Sequence, residues 1–415
     1  MLYFDHNATT PLLPVAKTAW LEVTEKLLGN PSSPHRLGQR AEAALQSARE
    51  QLAAFLCCDA MDIVWTSGAT ESNNMVFNHL ARTMDLAERR SPTRRVSARA
   101  GSETGAPGTA VVWVSTIEHP CVLAAADFYF SKQTRRIPVA RAGVVDLDWL
   151  RDGLRKRKPA LVAVMAANNE TGVLQPWREA LAFCREANVP FFCDAAQWIG
   201  KLPSRGLGAC DFVSGCAHKF GGPKGVGFLK CPSGSRLAPL LLGGKQEDGR
   251  RAGTENVAGV LSMMAALEAR ERLLAIGEHK PRLAWREVFE RCLLEQLPGS
   301  EIVGAGTERL WNTVSALMPE ADCQQRWVVK LDKFGCAVST GSACASGREE
   351  PSHVLAAMGR APGEAGRVLR FSSGWETGEQ DWRGLLEGLR KVQAEVMPKA
   401  KGRSSNRQTP GSKLR

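Results

Sequence analysis

A chain of 415 residues suits one large domain with a smaller companion better than a single minimal core. With 44% hydrophobic and 23% charged residues it has the balance of a soluble globular protein, and no apolar run approaches membrane-spanning length. A net charge of +11 raises nucleic acid as a partner, but Pro398 to Arg415 alone holds six Lys/Arg and no acid. We therefore expect a basic, disordered tail at 398–415, a flexible surface insert at 88–109, and neither nucleic acid nor membrane as partner. The opening MLYFDHNATT lacks the basic start and apolar stretch of a secretory signal, and Arg415 follows the SKL that would have to be terminal for a peroxisomal address. Twelve cysteines without a C-x-x-C pair read as reduced thiols of a cytoplasmic protein, mostly small core residues such as Cys193.

In chain order, strand-like runs fall at Asp62–Trp65, Ala110–Ser115, Leu161–Ala166, Pro190–Asp194, Asp211–Ser214 and Val226–Lys230. Helical patterns lie at Arg40–Leu56, Glu71–Met84, Cys121–Phe130, Leu147–Lys156 and Trp177–Ala187. This alternation predicts an α/β fold with a mostly parallel sheet covered by helices on both faces, and ligands beyond the strands' carboxyl ends. A long helical stretch spans Val257–Arg291, and mixed α/β character returns after Pro298. The expected division is a large domain at 14–265 and a smaller α/β domain built from 1–13 and 266–397.

Six segments carry candidate chemistry. WTSGATESNN, from Trp65 to Asn74, ends a strand, turns at Gly68 and starts a helix whose free N–H groups and dipole suit phosphate, with Thr70 adding a hydroxyl; a plain N-cap explains it equally. STIEHP presents His119 after a strand, able to stack on a flat ring or shuttle protons as a catalytic group, or to serve as a structural histidine. ANNETG places two amides and a carboxylate after the strand at Leu161–Ala166. FFCDAAQ ends a buried strand on Asp194, with Gln197 three residues on. A carboxylate there suits a protonated ring nitrogen, although a helix cap is the blander alternative. SGCAHKFGGPKGVG sets Lys219 before a glycine-rich turn, where a desolvated amine could form a Schiff base. GRRAGTENVA offers Thr254 behind two arginines, as a phosphate contact or a solvated turn.

Taken together, these motifs resemble the NifS/IscS-type cysteine desulfurases of the class V aminotransferase group. YFDHNATTP, NPSSPH (Asn30 to His35), STGSACAS (Ser339 to Ser346) and RFS at Arg370 fit as well, so the resemblance runs from about residue 3 to 395 and leaves out the insert and the tail. It implies pyridoxal 5'-phosphate fold type I, with a seven-stranded type of large-domain sheet, and a homodimer that turns L-cysteine into L-alanine. In that reading Lys219 carries the cofactor and Asp194 pairs with its ring nitrogen. Gln197 and Asn169 lie at the ring hydroxyl side, and His119 stacks on the ring. Ala69, Thr70, Cys216, His218 and, from the partner subunit, Thr254 hold the phosphate. Asn30 and Arg370 bind substrate, the arginine by its carboxylate-matching fork. One departure is Cys216, where the family usually has Ser; a thiol is a poorer donor, so slightly weaker cofactor retention is expected.

Cys344 sits among Ser, Gly, Ala and Thr residues that cannot build a core, so its loop should be mobile. An ordinary exposed cysteine is the alternative. Beside the lysine site, the functional reading is favoured: Cys344 takes the sulfur as a persulfide and passes it to an acceptor such as an iron–sulfur scaffold or a thiolation protein. The loop's length resembles the longer-looped desulfurase group. No intrinsic metal set is expected, with Cys344 a candidate transient iron–sulfur ligand. The rivals are another class V enzyme, such as an aminotransferase or a selenocysteine lyase, and a non-catalytic scaffold. The mobile thiol weighs against an aminotransferase, and the presence of Lys219 and Cys344 weighs against a scaffold.

Overall fold

The computed structural model describes residues 1–90, 111–320, 326–340 and 352–396. The chain opens with a short strand, β1 (Leu2–Tyr3), and then builds a seven-stranded sheet from β2 (Ile63–Thr66), β3 (Val112–Ser115), β4 (Thr134–Ile137), β5 (Leu161–Ala163), β6 (Phe191–Asp194), β7 (Phe212–Cys216) and β8 (Gly227–Lys230). Its order is β2-β8-β7-β6-β5-β3-β4. Every pairing is parallel except those of β8, which runs antiparallel to both β2 and β7.

Side chains alternate across a strand, and here both faces are apolar. Trp65, Trp113, Val162, Phe191, Val213 and Phe228 enter one core with the helices Arg36–Leu56, Leu147–Lys156, Trp177–Ala187 and Val257–Ala275. Their neighbours Val64, Val112, Ala163, Phe192, Phe212 and Leu229 enter a second core beneath Ala69–Arg90 and Pro120–Phe130. Cys193 is fully buried in the first, as its apolar setting suggests.

A further apolar cluster belongs to an antiparallel sheet of β9 (Glu301–Ile302), β10 (Thr313–Leu317) and β12 (Val368–Ser372), in the order β12-β10-β9. The strand β11 (Cys336–Ala337) pairs in parallel with β1, so the N-terminus joins this part of the molecule. Phe4 from the N-terminus packs there with Phe289, Trp327, Phe371 and Trp382.

Three elements differ from the sequence reading. β4 was not anticipated: its sequence TRRI has one fully buried residue, Ile137, because it lies at the sheet edge. Helix Pro14–Lys26 was missed because it buries only Ala16 among its own residues and owes its place to packing on Val257–Ala275. The long helical stretch after Val257 is two helices, Val257–Ala275 and His279–Gln296. They are separated at Gly277, whose φ of +79° an L side chain rarely adopts.

Candidate active site

The carboxyl ends of β2, β3, β6 and β7 converge on one cavity of about 620 Å³. β2 leads through Ser67 and Gly68 into the helix that begins at Ala69. Gly68 has φ +153°, and a Cβ at Gly227 on β8 would come within 2.6 Å of its Cα, so both positions need glycine for the turn to lie against the sheet. Glu71 accepts from the Ser67 N–H at 2.8 Å and pairs with Arg251 at 2.9 Å. Burial opposes its ionisation, yet the Arg251 and Ser67 bonds hold its carboxyl below the usual value. The Glu of the capping alternative is in place, but the helix starts behind Gly68, which has no side chain to cap it, and Ala69 and Thr70 line the cavity there.

β3 ends one turn before His119, which is the N-cap of helix Pro120–Phe130 and lies 2.9 Å from the Cys121 thiol. Burial lowers its pKa, with Asp194 acting against that and Lys219 adding to it. β6 ends on Asp194, 5% exposed. One carboxylate oxygen accepts from Asn73 Nδ2 at 2.9 Å and the other from the Ala196 N–H at 3.0 Å. β7 ends on Cys216, whose thiol burial pushes up to about 11 and which takes the backbone N–H of Ala69. It is followed by His218 and Lys219 in a single 3-10 turn. His218 is lowered to about 4 by burial and by Lys219, Lys224 and Lys201. Lys219 Nζ donates to the carbonyls of Asn7 (2.7 Å) and Ala8 (2.9 Å).

The opposite wall comes from the N-terminal segment and from β12. Arg370 is 2% exposed, reaches Asp5 Oδ1 at 2.6 Å and the Asn169 carbonyl at 3.0 Å, and lines the cavity. Gln197 donates to the Asn7 carbonyl at 3.0 Å.

Ala69, Thr70, His119, Asn169, Asp194, Gln197, Cys216, His218, Lys219 and Arg370 thus share one cavity. Thr254 does not: it is exposed and lines a smaller neighbouring pocket with Ser67, Gly225 and Arg251. Asn30 is exposed on the surface, its side-chain oxygen taken by the Ser32 N–H. Cys344 lies outside the described residues.

Sequence reasoning misses Asn7, Ala8 and Thr9 as lining residues, because nothing local in NATT says that the N-terminus returns to the large sheet. It also missed Cys121, Lys224 and Met165 among the lining residues. The cavity sets cationic and N–H donors (Lys219, Lys224, Arg370 and the start of helix Ala69–Arg90) around two carboxylates, the buried Asp194 and Glu71, which Arg251 already pairs. Such a set suits a ligand with anionic ends and one protonated nitrogen. Among the described residues, no group of three or more His, Cys, Asp and Glu is placed to hold a metal, and no helix is long and apolar enough to cross a membrane.

The chain matches the Aminotransferase class-V family over residues 2–91 and 97–382. It is 34% identical over 396 residues to "Cysteine desulfurase IscS" of Dictyoglomus turgidum, covering 94% of each chain. It is 38% identical over 384 residues to "Cysteine desulfurase" of Klebsiella pneumoniae, covering 92% of this chain and 89% of that one. Among solved structures it is similar to a NifS-like protein from Rickettsia africae, with TM-score 0.80, 28% identity, and coverage of 94% of this chain and 99% of that one.

Proposed function

The chain belongs to the class V aminotransferase family, and from that premise and the residues of the cavity we infer that it is a cysteine desulfurase of pyridoxal-phosphate fold type I. It converts L-cysteine to L-alanine and takes the sulfur as a persulfide on Cys344. The observation that carries this reading is the meeting of Lys219, Asp194 and Arg370 in one cavity of a chain 34–38% identical to proteins named cysteine desulfurase.

The donor set fits pyridoxal phosphate. The start of helix Ala69–Arg90, with Thr70, Cys216 and His218, would hold the phosphate. Asp194, fixed by Asn73 and Ala196, would keep the ring nitrogen protonated. His119 would stack on the ring, with Gln197 and Asn169 at its hydroxyl side. When bound, the cofactor supplies an electron sink for the substrate's α-carbon. Lys219 anchors it and, once displaced, accepts and returns the α-proton at Nζ. Arg370 holds the substrate carboxylate.

Ser339 supports the role of Cys344. It pairs with Arg370 through backbone bonds of 2.7 and 3.2 Å, so the chain leading to Cys344 starts at the cavity wall. The tether from Ser339 to Cys344 can span at most ~17 Å at ~3.4 Å per residue, enough for a thiol to meet a substrate in a cavity of this size. Thr254, apart from the cavity in one protomer, completes the phosphate site of a second copy in a homodimer, and Asn30 belongs to the substrate side of the dimeric site. We assign the large domain to 14–265 and the small one to 1–13 with 266–397. The persulfide serves an iron–sulfur scaffold or another thiolation acceptor in the cytoplasm.

The test is product analysis with L-cysteine and a reductant. The native protein should give sulfide and alanine in equal amounts. Lys219→Ala should lose both by at least about a thousandfold. Cys344→Ser should lose sulfide release while keeping the change in visible absorbance on adding cysteine. Undiminished sulfide from Cys344→Ser would remove that thiol from the reaction.

A further inference from the structure

Lys201 is a lysine, 3% exposed, that the proposed chemistry leaves without a task. It is not paired with a carboxylate among the described residues. Its Nζ instead donates to two neutral amide oxygens, Asn7 Oδ1 at 2.8 Å and Gln197 Oε1. Burying a charge against amides alone is costly, and burial followed by Lys219 and Arg370 holds its pKa well below that of a free lysine, with Cys216 acting weakly the other way. A neutral amine still carries two N–H donors, the number these two oxygens take.

Both neighbours are committed elsewhere. Asn7 Nδ2 donates to Thr313 Oγ1 (2.9 Å) and the Asn169 carbonyl (3.2 Å), and its Oδ1 also accepts from Asn312. Its backbone carbonyl receives both Gln197 Nε2 and Lys219 Nζ. A continuous set of bonds therefore runs from Lys201 through Gln197 and Asn7 to the amine of Lys219. A primary amide can be turned either way, and its two ends differ in chemistry: one accepts and the other donates. Here Lys201 gives its N–H donors to Asn7 Oδ1 and Gln197 Oε1 while Gln197 Nε2 is taken by the Asn7 carbonyl, so the oxygen of Gln197 faces the lysine and its NH2 faces away.

We propose that Lys201 is a positioning residue that, by taking the amide oxygens of Gln197 and Asn7, locks Gln197 with its NH2 toward Asn7 and the cavity, making it an obligate hydrogen-bond donor to a ring oxygen of the ligand. This rests on the cofactor reading above and adds to it which atom Gln197 presents and what fixes that choice. One Gln197 N–H is used by the Asn7 carbonyl, which leaves the second for the ligand. A donor favours the ionised form of the oxygen it meets. A ring oxygen that loses its outside donor holds the proton shared with the neighbouring nitrogen harder, so the pH midpoint of the cofactor's visible absorbance rises. The other groups that bear on this midpoint are Asp194, Lys219, Arg370, His119 and His218, and all stay in place in the variants chosen.

The experiment titrates the visible absorbance of the pyridoxal-phosphate-loaded protein in four forms: native, Lys201→Met, Gln197→Leu and the double variant. The expected result is an upward shift of about one unit or more in each single variant, with no further shift in the double. An unchanged midpoint in Lys201→Met overturns the proposal. So does a Lys201→Met shift that is equally large on top of Gln197→Leu, which would mean that the lysine acts by its charge or by general support. If Lys201→Met does not fold, Gln197→Glu answers on the native lysine: a carboxylate has no N–H to offer, so its midpoint must move, and a native midpoint overturns the donor assignment. Native protein that takes up no cofactor and shows no visible absorbance fails the cofactor reading itself, an outcome distinct from these.

Discussion

The two walls of the cavity are built by different physics. The wall on the seven-stranded sheet is a by-product of apolar packing. β2, β6 and β7 are buried on both faces, so their register is fixed by side chains such as Phe191, Phe192, Val213 and Phe212, and Asp194 and Cys216 stand where the strands end. The opposite wall is held by polar bonds between residues far apart in the chain: Asn7 to Thr313, Asn312 to Asn7, Arg370 to Asp5. Packing tolerates small errors of position, whereas a buried polar network is stable only when every member is paired. The first wall should therefore accept conservative change and the second should not.

The sharpest way to break that contrast is at Arg370. Arg370→Lys keeps the charge but loses the planar fork, and should lower kcat/KM for L-cysteine by roughly thirtyfold, about 2 kcal/mol, chiefly through KM. Steady-state kinetics that leave KM untouched would take the substrate carboxylate away from this residue.

Next comes Asn312, 1% exposed, which donates to Asn7 and to the Ser373 carbonyl and accepts from Thr313. Asn312→Ala leaves these groups buried and short of a partner, and should cost about 1–3 kcal/mol in urea unfolding. A smaller loss than that of a comparable apolar truncation on the sheet wall would reverse the contrast.

Glu118 sharpens the comparison from the sheet side. Burial, and then Asp194, raise its carboxyl from 4.5 to about 8, against the Met165 N–H and Arg136. Below pH 4.5 both folded and unfolded chains hold this proton. As the pH rises toward 8 only the folded chain does, so the protein loses stability across that window. Glu118→Gln removes the titration and should narrow the fall in urea midpoint between pH 5 and pH 8. Equal falls in both proteins would mean that another group titrates.

The smallest effect is expected at Cys216. Its thiol already meets the Ala69 N–H, and a hydroxyl there is the better donor. Cys216→Ser should retain pyridoxal phosphate about two- to fivefold more tightly by equilibrium dialysis, about 0.5–1 kcal/mol.

The sheet wall was the legible one. Asp194, Lys219, His119 and Thr70 stand beside strand ends and glycines, so their setting is local and shows in a run of ten residues. What was misread on that side also had local reasons: the edge strand β4 has too little apolar surface, and helix Pro14–Lys26 depends on a helix more than 200 residues away. On the other wall Arg370 was legible through RFS, but the part played by the N-terminus was not. Nothing near NATT indicates that Asn7 will receive the amine of Lys219, and nothing near Gly200 marks Lys201 as more than a surface lysine.

By itself, then, the sequence determined the alternation of strands and helices, the chemistry at their ends and the family, because each of these is written in spacing and residue type over short stretches. Only the tertiary structure decided that the N-terminus and β12 close the cavity, that Asn30 and Thr254 stand outside it in a single copy, and that a buried lysine grips Gln197. The closure depends on hydrogen bonds between segments some 190 to 365 residues apart, and Lys201, four residues from Gln197, is drawn in by its bond to Asn7. Such bonds are strong only where packed apolar layers enclose them and keep water out.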